Sequence, residues 1–374
     1  MQNPDKGKTI KLEGKVTLKS PLSHIGDSIG IDSYLATDTV IDENGNRQET
    51  FTFSGNAFRG LMRDMGAVYF LEKLGNIQIP LQHFYLLFSG GALSGEQSID
   101  VSQCREYRKF IPHLALFGGG VGNQILCGKI NVGALYPLCT ECKNLLPKIY
   151  KDKDLPSWRQ LTYEKSFTRY DDAKNDNHRG YIATEPEVIE ALPENIEQPQ
   201  PAEQVEQFDM FEAEHSENMK DIKENIKGPG KKKKETEAKK EKKDAPQQMR
   251  YTVELLAAGT QLYQRIVLHN VSDIELGAFV ACLCKFSERP YIGGKQAVGC
   301  GLVDIEYNWQ VMGNAEKLTI QDTGKFLSVS DEQIWMSKPA HEAKDKYDSF
   351  LVDTYIKYLE QNKDHIVKML GVAA

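Results

Sequence analysis

The chain has no run of apolar residues long enough to cross a bilayer, and its first residues lack the apolar core of a secretory signal. Its seven cysteines include a single C-x-x-C pair, Cys139 and Cys142, without the second pair that a cysteine-based zinc site needs. No complete G-x-x-x-x-G-K-S/T sequence of a P-loop is present, which excludes an NTPase of that class. We therefore expect a cytoplasmic protein with reduced thiols, no membrane contact and no metal or other cofactor.

The net charge of −7 does not by itself indicate a nucleic-acid-binding protein. The charge is unevenly spread, because residues 185–219 carry 11 acidic residues and no Lys or Arg, and residues 220–244 carry 11 Lys against 6 acids. The rest of the chain is close to neutral, so an RNA-binding surface has to come from the arrangement of its charges. Residues 185–247 have no core pattern and predict a flexible, disordered, charged insertion.

The N-terminal third predicts a strand, a loop, a second strand and a helix. Polar and apolar residues alternate over 8–19, which indicates a half-buried first strand. A glycine-containing loop is expected over 21–38, and a short strand over 48–53 leads to a helix that is capped by Ser54 and ended by Gly75. Apolar residues spaced by three and four positions give this helix one buried face.

The remaining segments complete an α+β pattern. We interpret HFYLLFSGGALSG and LALFGGGVGNQILCGKINVGALYPLC as strands punctuated by glycine. Two strands around a turn at Gly259, a helix over 273–286, a glycine-rich loop with a further strand and a C-terminal amphipathic helix follow. This order favours an α+β fold with a central antiparallel sheet, and the ferredoxin-like β-α-β-β-α-β plan fits best.

The start of the helix after Ser54 is the first candidate binding element. A helix N-terminus presents unpaired N–H groups and a partial positive charge, which together attract phosphate. Arg59 and Arg63 lie four residues apart, so we expect them on one face beside this terminus and opposite the apolar stripe. Gly55 and Gly60 would allow another backbone to approach closely. An ordinary amphipathic helix with two solvated arginines is the alternative.

Two glycine-rich loops are further candidates. Residues 116–124 (LFGGGVGNQ) and residues 293–301 (GGKQAVGCG) could each hold a phosphate through backbone amides, and the second loop adds the ammonium group of Lys295. Either segment could equally form a tight connection between regular elements.

Five elements occur in the order SHIGD…GID, SGNAFRGLMR, ALFGGG, ELLAAGT and YIGGKQAVGCGLV, and this order resembles the RAMP superfamily of CRISPR proteins. The resemblance covers about residues 8–307, with 185–247 left out. The mid-chain and late elements are most similar to those of the Cas-seven-type backbone subunits, not to those of the guide-processing endonucleases. The segment TRYDDAK at 168–174 is similar to the type IV branch, and the type III branch is the second match.

The resemblance implies a RAMP, ferredoxin-like (modified RRM-like) palm over 1–159 and 248–330, a thumb hairpin over 160–184 and 248–256, and a C-terminal helix over 331–374. It implies a subunit that binds CRISPR guide RNA (crRNA) and repeats as identical copies in a helical filament with other effector subunits. Such a subunit presents the guide for base pairing with complementary target nucleic acid. The RNA-binding residues that the resemblance implies are His24, Ser54, Asn56, Arg59, Arg63, Gly119, Asn123, Gln124, Arg169, Tyr170, Lys174, Arg179, Gly293, Gly294, Lys295 and Gln296.

The alternative to pure binding is an enzyme. In the type III branch an aspartate of the first loop cuts target RNA, and Asp32 falls on that position. A metal-dependent endoribonuclease could use this carboxylate to place a metal ion or to deprotonate an attacking 2′-hydroxyl. Asp27, Asp38 and Asp42 offer further carboxylates without a fixed geometry, and we expect binding without cleavage. A general RNA-binding protein outside CRISPR has no support, because no RRM aromatics, KH loop or zinc knuckle is present.

Overall fold

The computed structural model describes residues 7–76, 78–91, 101–151, 153–170, 248–312 and 320–351. The strands in these residues are β1 Lys8–Leu18, β2 Ile25–Ile29, β3 Asp32–Leu35, β4 Thr37–Ile41, β5 Arg47–Phe51, β6 Gly119–Val121, β7 Gln124–Leu126, β8 Ile130–Val132, β9 Tyr136–Pro137, β10 Thr162–Tyr170, β11 Gln248–Leu256, β12 Gln261–Val271, β13 Val303–Met312, β14 Ile320–Ser330 and β15 Gln333–Met336. The α-helices are α1 Gly55–Lys73, α2 Leu81–Phe88, α3 Val101–Phe110, α4 Pro112–Phe117, α5 Lys148–Lys151, α6 Asp273–Ser287 and α7 Lys338–Ser349. None of these helices is long and apolar enough to cross a membrane.

The chain divides into two compact units, one formed by residues 1–167 with 251–374 and the other by residues 168–250. The described part of the second unit consists of residues 168–170 and 248–250. The charged insertion that the sequence predicts over 185–247 lies outside the described residues.

A seven-stranded sheet forms the centre of the first unit, in the order β15-β14-β13-β1-β12-β8, with β9 also paired to β12. β1 is antiparallel to both of its neighbours, and Leu12 lies between Ile266 of β12 and Trp309 of β13. Alternate residues of β1, including Ile10, Leu12 and Val16, are fully buried, as expected for a strand with one face against the core. The predicted first strand is therefore confirmed.

Helices α1, α6 and α7 pack together against this core. Ser272 and Glu275 form a reciprocal capping box at the start of α6, and most side chains of that helix are buried. Gly277 allows α6 to approach α7 closely, because a Cβ there would overlap the carbonyl of Ala343. The predicted C-terminal helix begins at Lys338, after β15, and its continuation beyond residue 351 lies outside the described residues.

The two segments interpreted as strands each contain a helix, and the rest of the second segment forms β6, β7, β8 and β9 as predicted. HFYLLF lies in α2, where Leu86 and Leu87 are buried, and LALF lies in α4, which is buried throughout. Pro112 occupies the first turn of α4, a position that suits the fixed φ of proline. Short apolar runs carry no periodicity that separates a buried strand from a buried helix, which is why the strand interpretation was wrong.

The segment predicted as a loop over 21–38 contains a hairpin. β2 and β3 pair in antiparallel fashion, and the turn between them places Gly30 at φ +63°. β3 also pairs in parallel with β11, which gives a four-stranded sheet in the order β10-β11-β3-β2. Pairing with β11, a strand far along the chain, fixes this hairpin, and no local pattern signals it.

Candidate nucleic-acid interface

The start of α1 is held by the early loop. The backbone N–H of Ser54 donates to Nε2 of His24 over 3.3 Å, and the imidazole packs on Phe53 at 4.3 Å between ring centroids. Burial lowers the pKa of His24, which keeps the ring neutral so that Nε2 can accept this hydrogen bond. Ser54 Oγ in turn accepts from the N–H of Asn56, whose side chain is exposed. Ser54 is therefore the N-cap that the sequence predicts.

The late glycine loop meets the same early loop. The N–H of Gly294 donates to the carbonyl of Ser23 over 2.7 Å. Gly293 has φ +76°, and a Cβ at that position would overlap the Ser23 carbonyl. Gln296 Nε2 donates to the Gly293 carbonyl over 3.1 Å and closes the loop on itself. Because His24 follows Ser23, the late loop and the start of α1 both border the early loop.

Lys295 extends this surface to the β10–β11 pair. Its backbone lies in the left-handed region at φ +55°, and its ammonium group is 4.7 Å from the ring centroid of Tyr251 and 5.6 Å from that of Phe167. The two rings stack at 5.5 Å with an interplanar angle of 16°. Lys165 places a second ammonium group 5.4 Å from the centroid of Phe167.

Lys165, Phe167 and Tyr251 were not predicted as site residues. A signal for two of them exists in the sequence TYEKSFTRY, because Lys165 and Phe167 are two residues apart and so share one face of a strand. Their proximity to Lys295 depends on the tertiary fold and has no local signal.

Arg63 and Arg59 contact the protein itself. Arg63 is only 8% exposed and donates from Nη2 to the Phe117 carbonyl over 2.8 Å and from Nη1 to the Gly118 carbonyl over 3.1 Å. Arg59 also donates to the Phe117 carbonyl. These carbonyls end α4, where unpaired oxygens attract positive charge. The expectation that the arginines lie opposite the apolar face is wrong for Arg63, and burial lowers its pKa to about 10.

The mid-chain glycine loop is a tight connection between α4 and the β6–β7 hairpin. The N–H of Gly120 donates to the Gly90 carbonyl over 2.6 Å, and a Cβ at Gly119 would lie 2.8 Å from the same oxygen. Asn123 and Gln124 lie at the hairpin turn, where Gln124 Nε2 donates to Asn123 Oδ1 over 3.3 Å. Within the described residues, no hydrogen bond joins Gly119, Asn123 or Gln124 to His24.

Four predicted thumb residues have no described side chain. Arg169 and Tyr170 end strand β10, and only their backbone is described. Lys174 and Arg179 lie outside the described residues. The predicted RNA contacts of all four stay predictions.

Asp32 lies on the opposite face of the four-stranded sheet from Lys295. Its partner in the parallel β3–β11 register is Thr252, and both line a pocket of about 110 Å³ with Glu164 and Glu254. Alternation along β10 and β11 puts the two rings that contact Lys295 on the other face. Within the described residues, no group of three or more His, Cys, Asp or Glu side chains could hold a metal ion.

No protein-family model matches this chain, and no curated protein matches it. Among solved structures, a chain of the structure titled "Type IV-B CRISPR Complex" superposes with a TM-score of 0.47 and 17% sequence identity. The match covers 83% of this chain and 94% of that chain. The superposition is too loose to transfer residue roles from one chain to the other.

Proposed function

We propose that this chain is a guide-RNA-binding backbone subunit of a CRISPR effector ribonucleoprotein, where identical copies assemble along the guide with other effector subunits. The observation that carries the proposal is the meeting of three predicted elements at one surface. The early loop with His24, the start of α1 at Ser54 and Asn56, and the late loop at Gly294 and Lys295 border one another. These elements are distant in sequence, and their proximity supports the resemblance that predicted them.

The sheet supports a ferredoxin-like palm. Strands β13, β1, β12 and β8 are neighbours in that order, α1 follows β1 in the chain, and α6 connects β12 to β13. A β-α-β-β-α-β unit requires this alternation of strands and helices around an antiparallel sheet. β10 and β11 are adjacent strands that flank residues 171–247, which supports a thumb hairpin built on residues 160–184 and 248–256.

The chemistry of the surface favours sequence-tolerant binding. The N-terminus of α1 carries a partial positive charge, and the exposed Gly294 and the Lys295 ammonium group lie beside the loop that borders it. Such groups bind phosphates and leave the bases free, so that base pairing with a target supplies the sequence specificity. Arg59 and Arg63 are predicted RNA contacts that also donate hydrogen bonds to the Phe117 carbonyl, and these bonds hold α4 against α1.

Cleavage through Asp32 has less support. The carboxylate lies on the other face of the sheet from Lys295, and two of its pocket neighbours, Glu164 and Glu254, are also acidic. Arg159 lies 3.9 Å from Glu254 and offsets one of these three carboxylates, and the remaining negative charge disfavours the approach of an RNA phosphate.

Asn56→Asp tests the position of the RNA on α1. Asp at the second residue of a helix is compatible with the helix dipole, so the variant should fold normally. A phosphate bound at this terminus would be about 4 Å from the new carboxylate, and the repulsion of about 1 kcal/mol should weaken binding of single-stranded RNA about fivefold. Fluorescence anisotropy of a labelled RNA with the full-length chain measures this loss.

Gln82→Asp is the matched control, because Gln82 is the exposed second residue of α2. It adds the same charge at the same helical position, and RNA affinity should stay within a factor of two of the unmodified chain. An equal loss in both variants would mean that only net charge matters and that the RNA does not lie at the start of α1.

A further inference from the structure

Four side chains form a cluster at the base of the β10–β11 pair, namely Lys165, Phe167, Tyr251 and Lys295. We call them the aromatic–lysine cluster. Val253 and Leu255 of β11 and Cys300 of the late loop are buried beneath the two rings. The rings are thus packed on a small core of their own, which restricts the directions in which they can present their faces.

The rings hold both ammonium groups in place. The ammonium group of Lys295 lies 4.7 Å and 5.6 Å from the two ring centroids, and that of Lys165 lies 5.4 Å from the centroid of Phe167. A cation at such distances is attracted to an aromatic face. The backbone of Lys295 has a left-handed φ of +55° and directly precedes a short 3-10 turn. An ordered lysine loses rotamer entropy, and the ring contacts offset part of that loss before any ligand binds.

The cluster has unbalanced positive charge. Within the described residues, neither Lys165 nor Lys295 has a carboxylate within ion-pair distance, and the nearby acids Glu164 and Glu254 belong to the opposite face of the sheet. Two ammonium groups around the ring of Phe167 repel each other. An anion between them would convert that repulsion into attraction.

The ring of Tyr69 provides a contrast elsewhere in the fold. The ammonium groups of Lys73 and Lys344 also lie against one ring there, at 5.4 Å and 5.6 Å from its centroid. Both of those lysines pair with Asp348, at 3.6 Å and 2.8 Å. The pair of lysines around Tyr69 is therefore neutralised by Asp348, whereas the aromatic–lysine cluster has no such carboxylate among the described residues.

We infer that the aromatic–lysine cluster binds one phosphate of a single-stranded RNA, shared between the ammonium groups of Lys165 and Lys295. The inference rests on the proposed function and extends it to residues that the resemblance did not supply. Lys165 is a direct phosphate ligand, and Phe167 and Tyr251 are positioning residues. A nucleotide bound at this site would contact both the base of the β10–β11 pair and the late loop.

A double-mutant cycle tests whether the phosphate is shared. The variants Lys165→Ala, Lys295→Ala and the double variant are compared in full-length chain by the salt dependence of RNA affinity, with a synthetic single-stranded RNA as the probe. Each lost phosphate contact should lower the slope of log affinity against log salt by about 0.7. A shared phosphate predicts that the double variant loses about 0.7 of slope in total, where two separate phosphates would lose about 1.4, and that the affinity losses of the single variants are not additive.

Lys338→Ala is the matched control, since Lys338 is an exposed lysine whose side chain is 87% accessible in α7. It should leave both slope and affinity unchanged. Tyr251→Leu should weaken RNA binding several-fold and Tyr251→Phe should restore it, because the ring and not the hydroxyl positions Lys295. A purely structural role for Tyr251 would lower the melting temperature without this difference in affinity between the two variants.

Each outcome separates the inference from the proposed function. If the unmodified chain binds no RNA even at low salt, the proposed function itself fails. If the unmodified chain binds RNA and the lysine variants behave like Lys338→Ala, the cluster is not a site and the proposed function stands. If the slopes of the two single variants add in the double variant, the lysines contact two phosphates and the shared site is wrong.

Discussion

At the scale of single residues, Arg63, which the resemblance predicts as an RNA contact, has a structural role. Its guanidinium satisfies two carbonyls at the end of α4 and is almost fully buried. Arg63→Met should therefore lower the free energy of unfolding by about 2–4 kcal/mol, since it leaves buried acceptors unpaired. Urea denaturation measures this loss.

Lys338→Met removes one positive charge at an exposed position and should change the free energy of unfolding by less than about 0.5 kcal/mol. If Arg63→Met were as stable as this control but lost RNA binding, Arg63 would be a phosphate ligand and its contacts with α4 would matter little. Alanine substitution of both Arg59 and Arg63 cannot separate these roles, because it affects the fold and the surface together.

His113 makes the stability of the fold depend on pH. It is fully buried, and burial lowers its pKa from 6.5 to about 4. The unfolded chain therefore binds a proton below about pH 6.5 that the folded chain does not bind until about pH 4, so stability is lost as the pH falls through this window. The loss is at most about 1.4 kcal/mol per pH unit, and His24, whose pKa is also lowered, acts in the same direction.

His113→Gln removes this titration but keeps a side-chain donor that can approach the Leu87 carbonyl, which His113 Nε2 contacts at 3.3 Å. We expect the variant to be less stable than the unmodified chain at about pH 7 and to lose less stability on going to about pH 5. Equal pH dependence of the two urea midpoints would show that His113 is not the titrating group.

The sequence predicted part of the site at this scale. Ser54 and Gly75 were recognisable as helix-end residues because capping is local. The burial of Arg63 was not predictable, since it depends on α4, which contacts α1 only in the folded protein. Lys165 and Tyr251 were not predicted as site residues, because their proximity to Lys295 also arises only in the folded protein.

At the scale of elements, the docking of α1 on β8 depends on one glycine. A Cβ at Gly55 would overlap the carbonyl of Val132, whereas a Cβ at Gly60 would meet no atom within 4 Å. Gly55→Ala should thus lower the free energy of unfolding by about 1–3 kcal/mol. Gly60→Ala should raise it by up to about 1 kcal/mol, because alanine favours the helix. Thermal unfolding of the two variants measures the expected loss of stability in Gly55→Ala and the expected gain in Gly60→Ala.

The variants Gly55→Ala and Gly60→Ala also test whether RNA lies against α1. If Gly60 allowed an RNA backbone to approach α1, Gly60→Ala would weaken RNA binding while it stabilised the fold. Destabilisation by Gly60→Ala and tolerance of Gly55→Ala would contradict the packing of α1 described here.

Element types were predictable where a long periodic pattern or a capping signal existed. β1, α1 and α6 have such patterns and were predicted within a few residues. α2 and α4 are short and apolar on most sides, so hydrophobicity alone could not distinguish them from strands. The β2–β3 hairpin is stabilised by pairing with β11, a contact that no local window contains.

At the scale of the whole molecule, the resemblance linked segments that the fold brings to one surface. The early loop and the late loop are far apart in the sequence and join through the Ser23 and Gly294 backbones. The order of the motifs in the sequence predicted a common surface, but it did not identify the motifs that form it. The mid-chain glycine loop forms a backbone hydrogen bond with Gly90 and, among the described residues, none with the early loop.

Under the proposed function, the chain binds a CRISPR guide RNA as part of an effector complex. The most direct test is to co-express the full chain with its neighbouring genes and a CRISPR array, purify the complex and sequence the bound nucleic acid. We expect RNA of uniform guide length that carries repeat and spacer sequence. Bound RNA of mixed cellular origin, or no RNA from a well-folded sample, would contradict it.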